Sequence, residues 1–168
     1  MNTYKVNLVA LATFALLGIS CMYQHIPTET AEVISSPNQT QQVLYKRVRQ
    51  LFSYYFQHGS DAFLVVYDDP KAGIIIGRGG AKLILNPSSE VYYEAIYQIR
   101  VDTNNGRFKI TSKVLSYIRH KKSDELYSRD MTSVSKEREE LAYRYIANLS
   151  DNIKRYVANP RSEASPKM

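Results

Sequence analysis

Tyr97-Gln98-Ile99-Arg100-Val101-Asp102-Thr103-Asn104, then Asn105-Gly106, then Arg107-Phe108-Lys109-Ile110-Thr111-Ser112-Lys113-Val114, reads as two strands joined by a tight turn. Asn-Gly suits a two-residue turn because both central positions need positive φ, which Asn tolerates and Gly takes freely. A turn there predicts a register. Thr103 faces Phe108, Val101 faces Ile110, Ile99 faces Ser112 and Tyr97 faces Val114. The opposite face pairs Asp102 with Lys109, Arg100 with Thr111 and Gln98 with Lys113. One face is apolar and the other polar, the pattern of an antiparallel sheet with water on one side. The polar face makes Gln98, Arg100, Asp102, Lys109 and Lys113 the candidate binding residues.

The strand pattern continues upstream of Tyr97. The odd positions Val91, Tyr93 and Ala95 keep the apolar side, and Asn86-Pro87-Ser88-Ser89 breaks the chain before them. Phe63–Tyr67 and Ala72–Gly77 are short and rich in β-branched residues, separated by Asp68-Asp69-Pro70, which predicts a further hairpin. Ala31–Ser35 reads as a first short strand. Ser36-Pro37 predicts a helix start, since Ser caps free amides and Pro is tolerated at the first helical position. That helix runs to about Gln57, with Leu44, Val48, Leu51, Phe52 and Tyr55 as its buried stripe and Lys46, Arg47, Arg49 and Gln50 outside. A second helix starts at Ser135. Glu137, Glu139 and Glu140 favour its positive end, and Leu141, Tyr145, Leu149, Ile153 and Tyr156 form its stripe, flanked by Ile146 and Val157. Tyr117–Asp130, dense in charges of both signs, reads as an irregular exposed connection. The expected fold is α+β: a curved antiparallel sheet of four or five strands with two helices on one face.

The 168 residues favour one domain, and 44% hydrophobic with 23% charged residues is globular. Fourteen tyrosines and no tryptophan serve a core rim as readily as a contact surface. A net charge of +6 over this length describes a solvated surface better than a nucleic-acid footprint. At the N-terminus, Lys5 precedes an apolar run from Val6 to Ile19, of signal-peptide length and short for a membrane span. Ser20-Cys21 closes the run and resembles the lipobox of bacterial lipoproteins, in which the cysteine is lipidated and becomes the first mature residue; Gly18 stands where Leu is usual. The expected layout is therefore a lipoprotein signal peptide over 1–20, a tether over 21–30, one domain over 31–158 and a flexible tail over 159–168. Membrane attachment through Cys21 and a cell-envelope location follow from it. Cys21 is the lone cysteine, so no internal disulfide is available.

One motif points elsewhere. Gly73 to Ile84 resembles the signature of the KH RNA-binding domain, with Gly77-Arg78-Gly79-Gly80 as the backbone-clamping loop and Arg78 and Lys82 at phosphates. Against this, Asn86-Pro87 arrives before a following helix completes two turns, and Ile74-Ile75-Ile76 favours a strand. The preferred reading is a strand leading into a glycine-rich turn, with no nucleic acid as partner.

The ordered features resemble one family. Leu44-Tyr45-Lys46-Arg47 through Phe56, Tyr67-Asp68, Gly73-Ile74-Ile75-Ile76-Gly77-Arg78-Gly79, Tyr97-x-Ile99-x-Val101, Gly106-Arg107-Phe108-Lys109-Ile110 and a closing amphipathic helix are similar to the domain-of-unknown-function 4468 family of exported, lipid-anchored proteins in Bacteroides-type bacteria. The resemblance spans about Ala31 to Val157 and implies a fold like that of the TATA-box-binding protein. It implies neither DNA binding nor catalytic residues, because topology is what is shared. Leu51 stands where the family commonly has Trp.

Chemistry has few handles. His25, His58 and His120 lack metal-ligand spacing, and Asp68-Asp69 before Pro70 reads as a turn rather than an acid/base pair. No serine-nucleophile motif, phosphate-binding loop or dinucleotide fingerprint is present. The expectation is a non-enzymatic module without cofactor or metal that binds a protein or small molecule, with KH-like nucleic-acid binding through Gly77-Arg78-Gly79-Gly80, or an unrecognised hydrolase, as the alternatives.

Overall fold

The computed structural model describes residues 29–58, 64–131 and 134–158, with the side chains of 55–58 and 124–130 outside that description. Cys21, the apolar run before it, His25 and the tail from 159 lie outside the described residues, as do the side chains of Tyr55 and His58.

The hairpin forms the centre. Strands β4 (Val91–Asn104) and β5 (Arg107–Lys121) pair through Asn104↔Arg107, Asp102↔Lys109, Val101↔Ile110, Ile99↔Ser112 and Tyr97↔Val114, the register that the Asn105-Gly106 turn predicts. Gly106 takes φ +74°. Beyond Tyr97 the register shifts: Ile96 faces Ser116, which leaves Leu115 as an extra residue. Such a bulge bends the strand and strengthens its twist.

β1 (Glu29–Ser35), β2 (Leu64–Asp69), β3 (Ile74–Leu83) and β6 (Asp124–Met131) complete a six-stranded antiparallel sheet of order β1-β5-β4-β3-β2, with β6 also on β5. β1 covers β5 from Arg107 to Lys113, and β6 covers it from Tyr117 to Lys121, so two strands share one edge. Part of the expected irregular connection, Tyr117–Asp130, is therefore corrected to a hairpin turning at Lys122-Ser123. Charged residues are what natural edge strands carry, and here they concealed the strand. The tether also ends sooner than residue 30, since Glu29 and Thr30 already pair with Lys113 and Ser112.

The glycine run is corrected as well. Gly77, Gly79 and Gly80 lie inside β3 and face Ile99, Tyr97 and Ile96 of β4. They form neither a turn nor a KH clamp, and the positive-φ glycines described are Gly73 and Gly106.

Both helices cover the face of Tyr97, Ile99, Val101, Phe108 and Ile110. α1 (Gln41–His58) contributes Leu44, Tyr45, Val48, Leu51 and Phe52, all buried. It begins four residues after the predicted Pro37. Thr40 supplies the first carbonyl, which accepts from the amides of Val43 and Leu44, each at 3.1 Å. The Asn105 side chain takes the Gln41 amide at 2.9 Å. The hairpin turn thus caps α1, while Ser36 donates its amide to Gly106 at 2.7 Å. α2 (Lys136–Ala158) begins after Ser135, whose carbonyl accepts from Arg138 and Glu139. Its buried residues are Ala142, Ile146, Leu149, Ile153 and Val157. The expected Leu141 and Tyr145 are displaced from the centre of that stripe by about one position, and Tyr145 is 39% exposed. A second cluster of Leu83, Ala95, Tyr117 and Ala142 closes the far end.

Candidate binding face

Strand alternation carries the other side chains of the sheet to the face without helices. Cross-strand register lays them out in rows: Val33, Lys109, Asp102, Ile74 and Asp69; then Ala31, Thr111, Arg100, Ile76 and Tyr67; then Glu29, Lys113, Gln98, Arg78 and Leu64. All five predicted residues share this face. Their chemistry divides them. Arg100 and Asp102, two apart on β4, form a fork with distances of 2.6–3.0 Å. That bond holds the Arg100 guanidinium above its ordinary pKa. Gln98 accepts from the Arg78 guanidinium at 3.2 Å. Lys109 and Lys113 have no ion pair among the described residues.

Apolar side chains stand among these charges. Val33 is 61% exposed, Leu64 55% and Tyr67 47%. β1 and β2, at opposite edges of the sheet, carry them, so they flank the charged side chains of the central strands on the helix-free face.

Farther along the same face lies a group that spacing alone could not reveal. His120 sits on β5, not in a loop, and its Nε2 meets Glu94 Oε2 of β4 at 2.9 Å. The ring stacks on Tyr92 with centroids 4.7 Å apart. The Glu94 carboxylate folds over Gly80 of β3, in the space a Cβ there would enter, which accounts for a glycine within the strand. His120 and Glu94 are 26 residues apart, so only the strand register shows their proximity.

The helix side holds two polar networks. Asp68, at the end of β2, accepts from the Tyr45 hydroxyl and from Arg49 Nε, the latter at 2.9 Å. Asp69 instead accepts the amides of Lys71 and Ala72 at 3.0 Å, the turn role expected of an aspartate before proline. Between β1 and α2, Ser112 and Ser150 share a 2.9 Å hydroxyl contact, and Lys154 bridges Glu32 and Asp151. Glu32, Ser112, Ser150 and Lys154 line a cavity of about 170 Å³. Its lysine is already paired. Among the described residues no three His, Cys, Asp or Glu side chains gather as metal ligands, and no helix is long and apolar enough to cross a membrane.

Burial, then the bond to Asp68, pushes the Tyr45 phenol up to about 12; burial does the same for Tyr117, with Glu139 adding to it. Both groups are favoured in their protonated form by folding. Their contribution is therefore whole below pH 10 and is lost as pH rises through about 12. A phenolate absorbance titration is expected to show at least two late-ionising tyrosines, and Tyr45→Phe to remove one. A single transition near the ordinary tyrosine value would contradict the packing of both rings.

The comparisons agree with this architecture. A crystal structure of a TBP-like protein from Parabacteroides distasonis superposes with a TM-score of 0.59 at 12% identity, over 78% of this chain and 92% of that one. A DUF4468 family protein from Bacteroides ovatus gives 0.55 at 14% identity, over 78% and 85%. At such identities the likeness shows the fold. No curated protein matches the sequence. The model of one family matches residues 31–118, spanning β1 through most of β5. The chain belongs to that family, the domain of unknown function DUF4468 with TBP-like fold.

Proposed function

We propose that the chain is an exported cell-envelope protein, anchored by lipid at Cys21, that binds a protein or small-molecule partner through the open face of its sheet and catalyses no reaction. The observation that carries this reading is the exposure of Val33, Leu64 and Tyr67 among Arg78, Lys109 and Lys113 on a face that neither helix covers. The anchor rests on the charged start, the apolar run and the Ser20-Cys21 pair.

Catalysis is not expected because the polar groups are spent on one another. Arg100 serves Asp102, Gln98 serves Arg78 and His120 serves Glu94. None of these pairs converges on the cavity, which lies on the other side of the sheet between β1 and α2. A histidine-activated serine or cysteine hydrolase needs its nucleophile at the imidazole, and the described contacts of His120 are Glu94 and Tyr92. Nucleic acid is not the expected partner, because the strand through Gly77 and Gly80 leaves no backbone clamp.

The test is a comparison of two charge reversals in cells. Arg78→Glu with Lys109→Glu on the open face should abolish crosslinks to the partner. Lys46→Glu with Gln50→Glu on the outer side of α1 should leave them intact. If the α1 pair abolishes them instead, the helix surface is the binding surface.

A further inference from the structure

We propose that the β1–β5 strip of the open face rests on an anionic bilayer surface, with Arg107, Lys109 and Lys113 at the headgroups and Val33 and Leu115 at the boundary beneath them. The proposal rests on the Cys21 anchor and on the open face as the binding surface: it gives the β1–β5 strip to the bilayer and leaves Leu64, Tyr67 and Arg78, on the β2–β3 side, to the protein or small-molecule partner.

Reach is the first argument. Seven residues lie between Cys21 and Glu29, and an extended chain gains about 3.3–3.6 Å per residue, so Glu29 stays within roughly 29 Å of the anchor. Glu29 pairs with Lys113, near the middle of the 15-residue β5. The tether therefore enters beside this strip, at the gap that β1 and β6 leave on β5. Leu115, 40% exposed, occupies that gap.

Charge decides which side faces the lipid. On the helix side of β1, Lys154 is bound to both Glu32 and Asp151, so its charge is already spent within the fold. On the open side, Arg107, Lys109 and Lys113 outnumber Glu29 in the register rows. Juxtamembrane bases are attracted to anionic headgroups within a Debye length. Val33, 61% exposed between the flanking bases, supplies the apolar contact, and lysine stems lie along such a boundary while their ammonium groups stay wet.

The lipidated full-length product, reconstituted into phosphatidylcholine vesicles or mixed phosphatidylcholine/phosphatidylglycerol vesicles, is labelled with an amine-reactive reagent and digested for mass spectrometry. Labelling of Lys109 and Lys113 is expected to be on the order of fivefold slower on the anionic vesicles. Lys46, exposed on α1, should label equally on both, and high salt should relieve the protection. Equal labelling of Lys109 and Lys113 on both lipids overturns the proposal. So does protection that is independent of lipid composition, which would place the tether or a second copy on the strip. A digest in which Cys21 carries no acyl group removes the anchor itself, a failure distinguishable from failure of docking.

Discussion

Phe52→Ala is expected to destabilise the domain by about 3–5 kcal/mol, the usual cost of removing a fully buried aromatic ring. Phe52 is 0% exposed and belongs to the main core with Leu44, Val48, Tyr97, Ile99 and Ile153. It lies where α1, α2 and the sheet meet, so the lost ring leaves a void lined by three elements, with little freedom to collapse into it. Urea denaturation reads the effect as a lower midpoint with an unchanged slope. Phe52→Leu, which keeps most of the volume, should cost less than half as much and serves if the alanine variant does not fold. A loss below about 1 kcal/mol for alanine would place Phe52 at the surface instead.

Gly73→Val should be nearly as damaging, at about 2–5 kcal/mol, because strain and overlap act together. Gly73 has φ +71°, a conformation that a β-branched residue resists. An added Cβ there would meet the Gln41 amide, the Thr103 hydroxyl at 2.6 Å and the Thr103 carbonyl at 2.7 Å. The last is backbone and cannot swing aside. The Gly73 carbonyl also accepts both the amide and the hydroxyl of Thr103, at 2.8 and 2.9 Å, so moving it breaks two bonds at a buried threonine. Gly73→Ala should fall between wild type and valine in the same denaturation series. Equal stability of all three would contradict the described turn.

Local chemistry explains what could be read from the chain. Asn105-Gly106 sets a turn by φ preference, and the alternation beside it admits one register with an apolar face, so the β4–β5 pairing and the sharing of one face by Gln98, Arg100, Asp102, Lys109 and Lys113 were both legible. Non-local contacts governed the rest. Asn105 reaches back 64 residues to the Gln41 amide, and that contact, not the Ser36-Pro37 signal, accompanies the start of α1. Ala142 lets α2 approach the sheet closely, so Ala142 and Ile146 displace the bulkier Leu141 and Tyr145 from the stripe. The glycines of β3 suggested a turn because nothing near them in the chain shows that Glu94 needs the room at Gly80. For the same reason His120 looked like a loop residue. Its partner is on the neighbouring strand, 26 residues away in the chain, and the polar character of β6 hid the strand that extends the sheet beside it.

We propose that this fold is held at a membrane by a lipid on Cys21 and works from its open face. Mass spectrometry of the membrane fraction tests that proposal most directly. An N-terminal peptide that begins at Cys21 and carries acyl mass is expected; a peptide with an intact Met1, or a Cys21 peptide without that mass, would contradict it.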